Sequence, residues 1–157
     1  MTVLDAGTGD GGYPVTDDTL AVAARRHLDL TDHLSTTVDP SMIDAADVVL
    51  TMERAHVRDI VLEHPDAWPK TFTLKEFVRR ADEVGARPSD VSMETWLGTL
   101  HEGRSRIDLI GASPVDDVAD PTSDRRVDHD SLAEELDALV ESTVVYLWPT
   151  GTGPTAG

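Results

Sequence analysis

The stretch Ala46-Asp47-Val48-Val49-Leu50-Thr51-Met52 decides the fold. A short, continuous apolar run rich in β-branched residues is typical of a strand that is buried on both faces, as the strands of parallel sheets are. A helical pattern follows over residues 53–63, then a short strand at Thr71–Leu74 and a helix at Lys75–Val84. This alternation of strands and helices predicts an α/β domain with a parallel sheet.

A glycine-rich segment, residues 6–12, lies upstream and follows the short β-like run Thr2–Leu4. Such a segment after a strand can bind phosphate through its backbone N–H groups. The glycine spacing of a dinucleotide loop is absent and no Gly-Lys-Ser/Thr follows, so the segment is predicted to be a surface turn. A helix is predicted to begin at Thr16, because threonine and the aspartates after it suit a helix N-terminus.

The downstream half is predicted to hold two helices separated by a long loop. The first helix spans Ser92–His101 and the loop spans residues 103–126. The terminal helix has the capping-box pattern at Ser131 and Glu134. Its predicted inner face is an apolar stripe made of Leu132, Leu136, Leu139, Val140, Val144 and Leu147.

The composition sets the domain count and excludes some partners. A chain of 157 residues that is 39% hydrophobic suits one globular domain, expected over residues 1–148, with a disordered tail at 149–157. The net charge of −17 argues against nucleic acid and against anionic membranes, since both are bound through Lys and Arg. It also repels a phosphorylated ligand unless a local positive site overcomes the field. No secretory signal or apolar span of ~20 residues is visible, so a cytoplasmic protein is expected.

The sequence contains no cysteine. Within these residues this excludes disulfides, zinc–thiolate sites and a cysteine nucleophile. The six histidines form no i, i+4 pair on a helix, and the spacing of Asp116, Asp117, Asp120 and Asp124 fits no EF-hand. These four acids are predicted to form a solvated loop, and neither a metal nor another cofactor is expected.

Five segments, in this order, resemble the low-molecular-weight protein-tyrosine-phosphatase family, which includes arsenate-reductase relatives. They are Asp5-Ala6-Gly7-Thr8, Leu28-Asp29-Leu30-Thr31-Asp32-His33-Leu34-Ser35, Ala46-Asp47-Val48-Val49-Leu50-Thr51-Met52 with His56, Phe72-Thr73-Leu74-Lys75-Glu76-Phe77 and Asp120-Pro121. The set extends over nearly the whole chain. The resemblance implies a three-layer α/β fold with a short parallel sheet flanked by helices. It also implies hydrolysis of a phosphorylated protein or small phosphomonoester through a cysteinyl-phosphate, with Asp120 at the position of the general acid.

The sequence departs from the family pattern at its start. The family's first strand, Cys-x5-Arg loop and helix come before the segment matched by Asp5–Thr8, and no such unit is present. Without the thiolate and the arginine clamp, we expect these residues to be inactive. His33 and Ser35 match positions that support the missing loop, so no role is expected for them. Without the family's first strand, the central strand has an open edge, which predicts aggregation or self-association.

Three hypotheses remain open at this point. In the first hypothesis, the gene starts upstream of Met1 and encodes a phosphatase or reductase. In the second, the chain is complete and is a pseudo-phosphatase that acts as a binding or regulatory module. In the third, the chain is another small α/β protein. An in-frame Cys-x5-Arg immediately upstream favours the first hypothesis, and a nearby stop codon favours the second.

Overall fold

The computed structural model describes residues 2–7, 9–119 and 128–149. The chain divides into two compact units. Unit 1 consists of Met1–Ala46 and Ala119–Glu135, and unit 2 consists of Asp47–Val118 and Leu136–Gly157. No helix in the described ranges combines the length and apolarity that a membrane crossing requires.

Unit 1 contains two short helices with capped N-termini. Helix α1, Asp17–Arg25, begins after Thr16, whose hydroxyl accepts the N–H of Thr19, as the sequence predicted. Helix α2, Pro40–Ala45, begins after Asp39, which accepts the N–H of Ser41. Unit 1 is loosely packed, because among its described residues the buried apolar side chains are those of two residues only, Ala23 and Ile43.

Unit 2 contains the sheet. Strands β1, Val49–Thr51, and β2, Thr71–Thr73, pair in parallel with Leu50 opposite Phe72. Parallel strands need a crossover, and here it is helix α3, Arg54–Glu63, followed by a 3-10 helix over Pro65–Lys70. The predicted α/β class with a short parallel sheet is therefore confirmed.

Two further helices pack beside this sheet. Helix α4, Leu74–Val84, begins directly after β2, because the hydroxyl of Thr73 caps it by accepting the N–H of Glu76. Helix α5, Met93–His101, is capped by Ser92. The main core of unit 2 consists of Phe72, Phe77, Ala81, Trp96, Leu97, Leu100 and Leu147. Its three aromatic rings contact edge to face, with centroids 6.0 Å and 5.8 Å apart.

The residues after α5 differ from the predicted continuous loop. A 3-10 helix spans Arg106–Leu109, and Ser105 and Asp108 form a reciprocal capping box at its start. Its last residue, Leu109, is buried in a second cluster with Val57, Val61 and Trp68. The prediction of a plain loop was wrong because one short turn has too few residues to show a periodic pattern.

The terminal helix α6, His129–Leu147, differs from its prediction in where it starts and in how much of its apolar stripe is buried. It starts earlier, because Asp128, not Ser131, is the cap and accepts the N–H of Ser131. Of the predicted stripe only Leu147 is buried; Leu132, Leu136 and Leu139 are half-buried, and Val140 and Val144 are exposed. Arg87 holds the C-terminal end, where its N–H donates to the Tyr146 carbonyl and its Nε to the Leu147 carbonyl.

Candidate functional site

The carboxyl end of β1 anchors the segment that leads to Asp120. The N–H of Val118 donates to the carbonyl of Met52 at 2.8 Å, and the Val118 side chain is buried. This contact fixes the end of the 111–118 loop beside the sheet. Asp120 comes two residues later in the sequence but lies outside the described residues. Its expected role as the general acid therefore stays a prediction.

Asp117 joins this loop to the N-terminus of α3. One carboxylate oxygen accepts the N–H of Arg54 at 2.8 Å, and the other accepts the N–H of Ser113 at 2.6 Å. The residue at the helix N-cap, Glu53, makes no side-chain capping bond. The carboxylate of Asp117 thus supplies the cap from a distant part of the chain, where the positive end of the helix dipole favours it.

Arg54 binds the other end of the same loop. Its guanidinium donates to the carbonyl oxygens of Asp108 and, at 3.2 Å, Gly111. Its Nε is buried and has no hydrogen-bond partner among the described residues. Since the side chain is committed to loop carbonyls, Arg54 acts here as a support for the loop.

Asp116 and Asp117, two of the four acids predicted to be solvated, have specific partners. Asp116 accepts from Arg79 at 2.9 Å and its side chain is only 15% exposed. The solvated-loop prediction was therefore wrong for this pair, because each carboxylate is used to hold the loop in place. The other two acids, Asp120 and Asp124, lie outside the described residues. Within the described ranges, no three acids or histidines come together as metal ligands.

A buried arginine, which the sequence analysis missed, organises the interior of unit 2. The guanidinium of Arg104 lies against the rings of Trp68 and Phe72, 3.8 Å and 4.1 Å from their centroids. It also makes a bidentate pair with Glu76, at 2.8 Å and 2.9 Å. Pairing of this kind stabilises a buried charge that would otherwise be costly to desolvate.

The remaining donors of Arg104 are used as well. They reach the carbonyls of Trp68 at 3.1 Å and Thr71 at 2.8 Å, and Nδ1 of His101 at 3.2 Å. All five guanidinium N–H groups therefore have acceptors. No local motif marks Arg104, because its partners come from distant positions. Its place after Gly103 in the supposed loop gave no sign of burial.

His101 is held neutral by this arrangement. Because Arg104 can only donate, Nδ1 of His101 is the acceptor and its proton resides on Nε2. Burial, followed by the positive charge of Arg104 and then of Arg80, lowers the pKa of His101 below its ordinary value of 6.5. The imidazole is thus a structural acceptor in the described structure.

In unit 1 the glycine-rich segment pairs with residues 34–38. The N–H of Gly7 donates to the Thr36 carbonyl and the N–H of Gly12 to the Ser35 carbonyl, each at 2.7 Å. A Cβ at Gly11 would lie 3.0 Å from the backbone of the facing segment, so a side chain is disfavoured there. The segment is therefore a paired surface loop, and these N–H groups are already used within the chain.

His33 and Ser35 have local partners, which corrects the expectation that they have no role. The hydroxyl of Ser35 accepts the N–H of Tyr13 at 3.1 Å, and Nε2 of His33 lies 3.3 Å from the carboxylate of Asp5. Both side chains tie the 33–35 segment to the N-terminal stretch. Their role in the described structure is to hold unit 1 together.

Unit 2 thus contains a firmly held loop and no thiol. The hydroxyl of Thr51, at the end of β1, donates to the Glu53 carbonyl at 3.0 Å. Since the whole sequence lacks cysteine, none of these residues can form a cysteinyl-phosphate. The described residues therefore hold the loop that ends at Val118 against β1 and contain no thiolate.

Comparison with known proteins identifies the family. The profile of the family described as low molecular weight phosphotyrosine protein phosphatase matches residues 1–97. A probable low molecular weight protein-tyrosine-phosphatase, EpsP of Ralstonia solanacearum, is 27% identical over 66% of this chain and 72% of its own length. A protein-arginine-phosphatase of Geobacillus stearothermophilus is 36% identical over half of this chain and 53% of its own length.

Among solved structures, the arginine phosphatase YwlE from Geobacillus stearothermophilus matches 89% of this chain and 74% of its own, with 24% identity and a TM-score of 0.47. The family profile alone extends over more than half of the sequence, from residue 1 to the middle of α5. The resemblance drawn from the five ordered segments is confirmed, and the chain belongs to the low-molecular-weight phosphotyrosine protein phosphatase family.

Proposed function

We propose that this chain is a low-molecular-weight phosphatase-like protein whose 157 residues supply the general-acid side of phosphomonoester hydrolysis but do not carry out that reaction alone. The observation that carries the proposal is a family match over residues 1–97 in a sequence without cysteine. The family reaction begins with attack by a thiolate, whereas the acid acts on the leaving group. A chain with the second function and not the first is inactive by itself.

Support for Asp120 as the general acid comes from the loop that precedes it. Val118 is bound to the end of β1 and Asp117 to the start of α3. In open α/β sheets, ligands bind beyond the carboxyl ends of the strands. A loop fixed at that end suits an acid that must meet a leaving oxygen within hydrogen-bond distance.

We propose a phosphorylated protein or a small phosphomonoester as the ligand class, and a cytoplasmic location. The family's name supports the first point. The cytoplasmic location is supported by the family reaction, because the thiolate that the family uses persists in a reducing compartment.

We also propose that residues 1–148 form one domain. The family profile supports this, since it runs without interruption through parts of both units. Limited proteolysis that yields a stable fragment beginning near Asp47 would contradict it.

Self-association through β1 is a further part of the proposal. In the described residues β1 pairs with β2 along one edge, and an open strand edge can pair with another chain. The net charge of −17 opposes such pairing, so we expect association to strengthen with added salt. Sedimentation that shows a monomer at both low and high salt would contradict this.

The experiment that tests the role of Asp120 uses the native gene product. Its intact mass and the nucleotide sequence upstream of Met1 show whether a Cys-x5-Arg segment accompanies these residues in the cell. If it does, Asp120→Asn should lower kcat by roughly 10²–10⁴-fold, whereas Asp124→Asn, which changes an acid four positions later in the sequence, should leave it unchanged. Equal activity of both variants and the wild type would show that Asp120 is not the acid.

A further inference from the structure

The residues between Gly103 and Gly111 form a short strap on unit 2. Both glycines have a backbone φ of 75°, a conformation that residues with side chains disfavour, and a Cβ at either one would enter open space. Glycine is therefore suited to these two positions by its backbone freedom and not by crowding. Residues 104–110, which we name the strap, thus have at each end a residue that can absorb a change in backbone angles.

The strap is held to unit 2 by few attachments. Arg104 and Leu109 are its inward-facing residues, and all the other strap residues are exposed. Arg104 makes the bidentate pair with Glu76, and Leu109 packs in the cluster that contains Trp68. The Arg54 guanidinium adds a contact to the strap backbone. A segment with so few buried contacts can open while the core of the unit stays folded.

His101 supports the first of these attachments only while it is neutral. Its Nδ1 accepts a hydrogen bond from the Arg104 guanidinium at 3.2 Å, and its ring lies edge to face with Trp68, with centroids 5.2 Å apart. Arginine can only donate, so a proton on Nδ1 would place two donors face to face. Protonation therefore replaces a favourable contact with an unfavourable one.

The charged groups around His101 also oppose a proton there. Arg80 and Glu76 face it from α4, and Arg104 and Arg106 face it from the strap. Glu76 is the one carboxylate among the four, and it already pairs with Arg104 and Arg80. Two of the three cations belong to the strap, so its release removes most of the repulsion. The released form consequently binds a proton at His101 more readily than the attached form does.

We propose that protonation of His101 shifts the strap toward a released form, which makes the strap a pH-sensitive element of unit 2. Release separates Arg104 from Glu76 and removes the backbone carbonyls that Arg54 holds. The 111–118 loop then loses its attachment at Gly111 but keeps the bond between Val118 and β1. The inference does not depend on whether the chain catalyses a reaction.

Native-state hydrogen exchange of the full chain tests the proposal. The reporters are the N–H groups of Asp108 and Ile110, which are bonded to carbonyls within the strap. The range from about pH 7.5 to about pH 5.5 lies above that in which carboxyl groups ordinarily titrate. Relative to the intrinsic rate at each pH, protection of the reporters should fall below about pH 6.5, by at most about tenfold per pH unit for one linked proton. The buried residue Leu97 of α5 should be better protected than the strap at every pH.

Two variants assign the effect to one histidine. In His101→Gln the amide oxygen still accepts from Arg104 but does not titrate, so protection of the strap should no longer depend on pH. His33→Gln removes a histidine of unit 1 and should leave the dependence unchanged. If His101→Gln does not fold by circular dichroism, the proton resonances of the His101 ring in the wild type should titrate over the same pH range in which protection of the strap falls.

Three outcomes would overturn the proposal. Protection of the strap that stays constant with pH would show that no proton is linked to its release. Equal protection of the strap and Leu97 at every pH would show that the strap opens only when unit 2 unfolds. The same pH dependence in His101→Gln and the wild type, or a His101 ring that titrates outside the range in which protection falls, would assign the effect to another group.

Discussion

Replacing Arg104 by alanine is expected to lower the free energy of unfolding of unit 2 by about 3–5 kcal/mol, the usual cost of breaking a buried ion pair from one side. The Arg104 side chain is only 1% exposed, and that of Glu76 is 12% exposed. The substitution leaves the Glu76 carboxylate buried and removes the donors to the Trp68 and Thr71 carbonyls. Each of these groups loses a partner without regaining full hydration, so the penalties accumulate.

One neighbouring contact limits the loss. Arg80 lies 3.2 Å from the same Glu76 carboxylate and continues to neutralise it, so we expect a value toward the lower end of the range. The loss is still a large part of the ~5–15 kcal/mol that stabilises a typical domain. Arg104→Lys should be intermediate, because lysine keeps the charge but lacks the planar fork that reaches several acceptors at once.

Urea unfolding followed by tryptophan fluorescence measures this effect, because the guanidinium stacks on Trp68. The matched control is Arg58→Ala, which removes an ion pair with Asp59 whose side chains are 43% and 55% exposed. Exposed pairs contribute about 0–1 kcal/mol. The reasoning is refuted if Arg104→Ala and Arg58→Ala shift the free energy of unfolding by the same small amount.

Three further outcomes are expected. Asp117→Ala should destabilise the chain by about 1–2 kcal/mol in thermal melting, because the N–H of Arg54 loses its cap; an unchanged melting temperature would contradict this. The pKa of His101 is lowered in the folded chain, so below about pH 6.5 the unfolded chain takes up a proton more readily than the folded chain does, and the free energy of unfolding decreases as the pH is lowered. His101→Gln should flatten this dependence on pH; an identical dependence in the variant and the wild type would contradict the structural role of His101. Gly11→Ala should destabilise unit 1, since the added Cβ would lie 3.0 Å from the facing backbone, and hydrogen exchange of the unit 1 amides measures this effect. Gly98→Ala in α5 is the control: its Cβ enters open space, so it should stabilise the chain by up to about 1 kcal/mol.

The parts of the fold that depend on local sequence were predictable. The Val48–Leu50 run predicted a parallel strand, and Thr16 was predicted as the cap of α1. The start of α4 was placed one residue late, because Leu74 was assigned to the strand and the cap at Thr73 was not identified. The family could also be identified from the sequence, because the five segments that resemble it occur in the family's order along the chain. The prediction that the apolar stripe of α6 is its buried face was only partly correct, since periodicity identifies an apolar face but does not show how much of that face another element covers.

The contacts that build the candidate site were not predictable from local patterns. Arg104 and Glu76 are 28 residues apart in sequence, and Asp117 caps a helix that begins 63 residues before it. Long-range pairs of this kind depend on the tertiary fold, whereas secondary-structure propensity and residue spacing describe only local structure. For that reason Asp116 and Asp117 were predicted to be solvated acids, and Arg104 was passed over as part of a loop.

Hydrolysis of para-nitrophenyl phosphate by the purified 157-residue chain tests the central claim most directly. A chain without a cysteine cannot form the family's covalent intermediate, so we predict release of nitrophenol no faster than in buffer. The Asp120→Asn variant, purified in parallel, should give the same background. Turnover that persists through purification and disappears in Asp120→Asn would contradict the account, because it would show a complete active site within these residues.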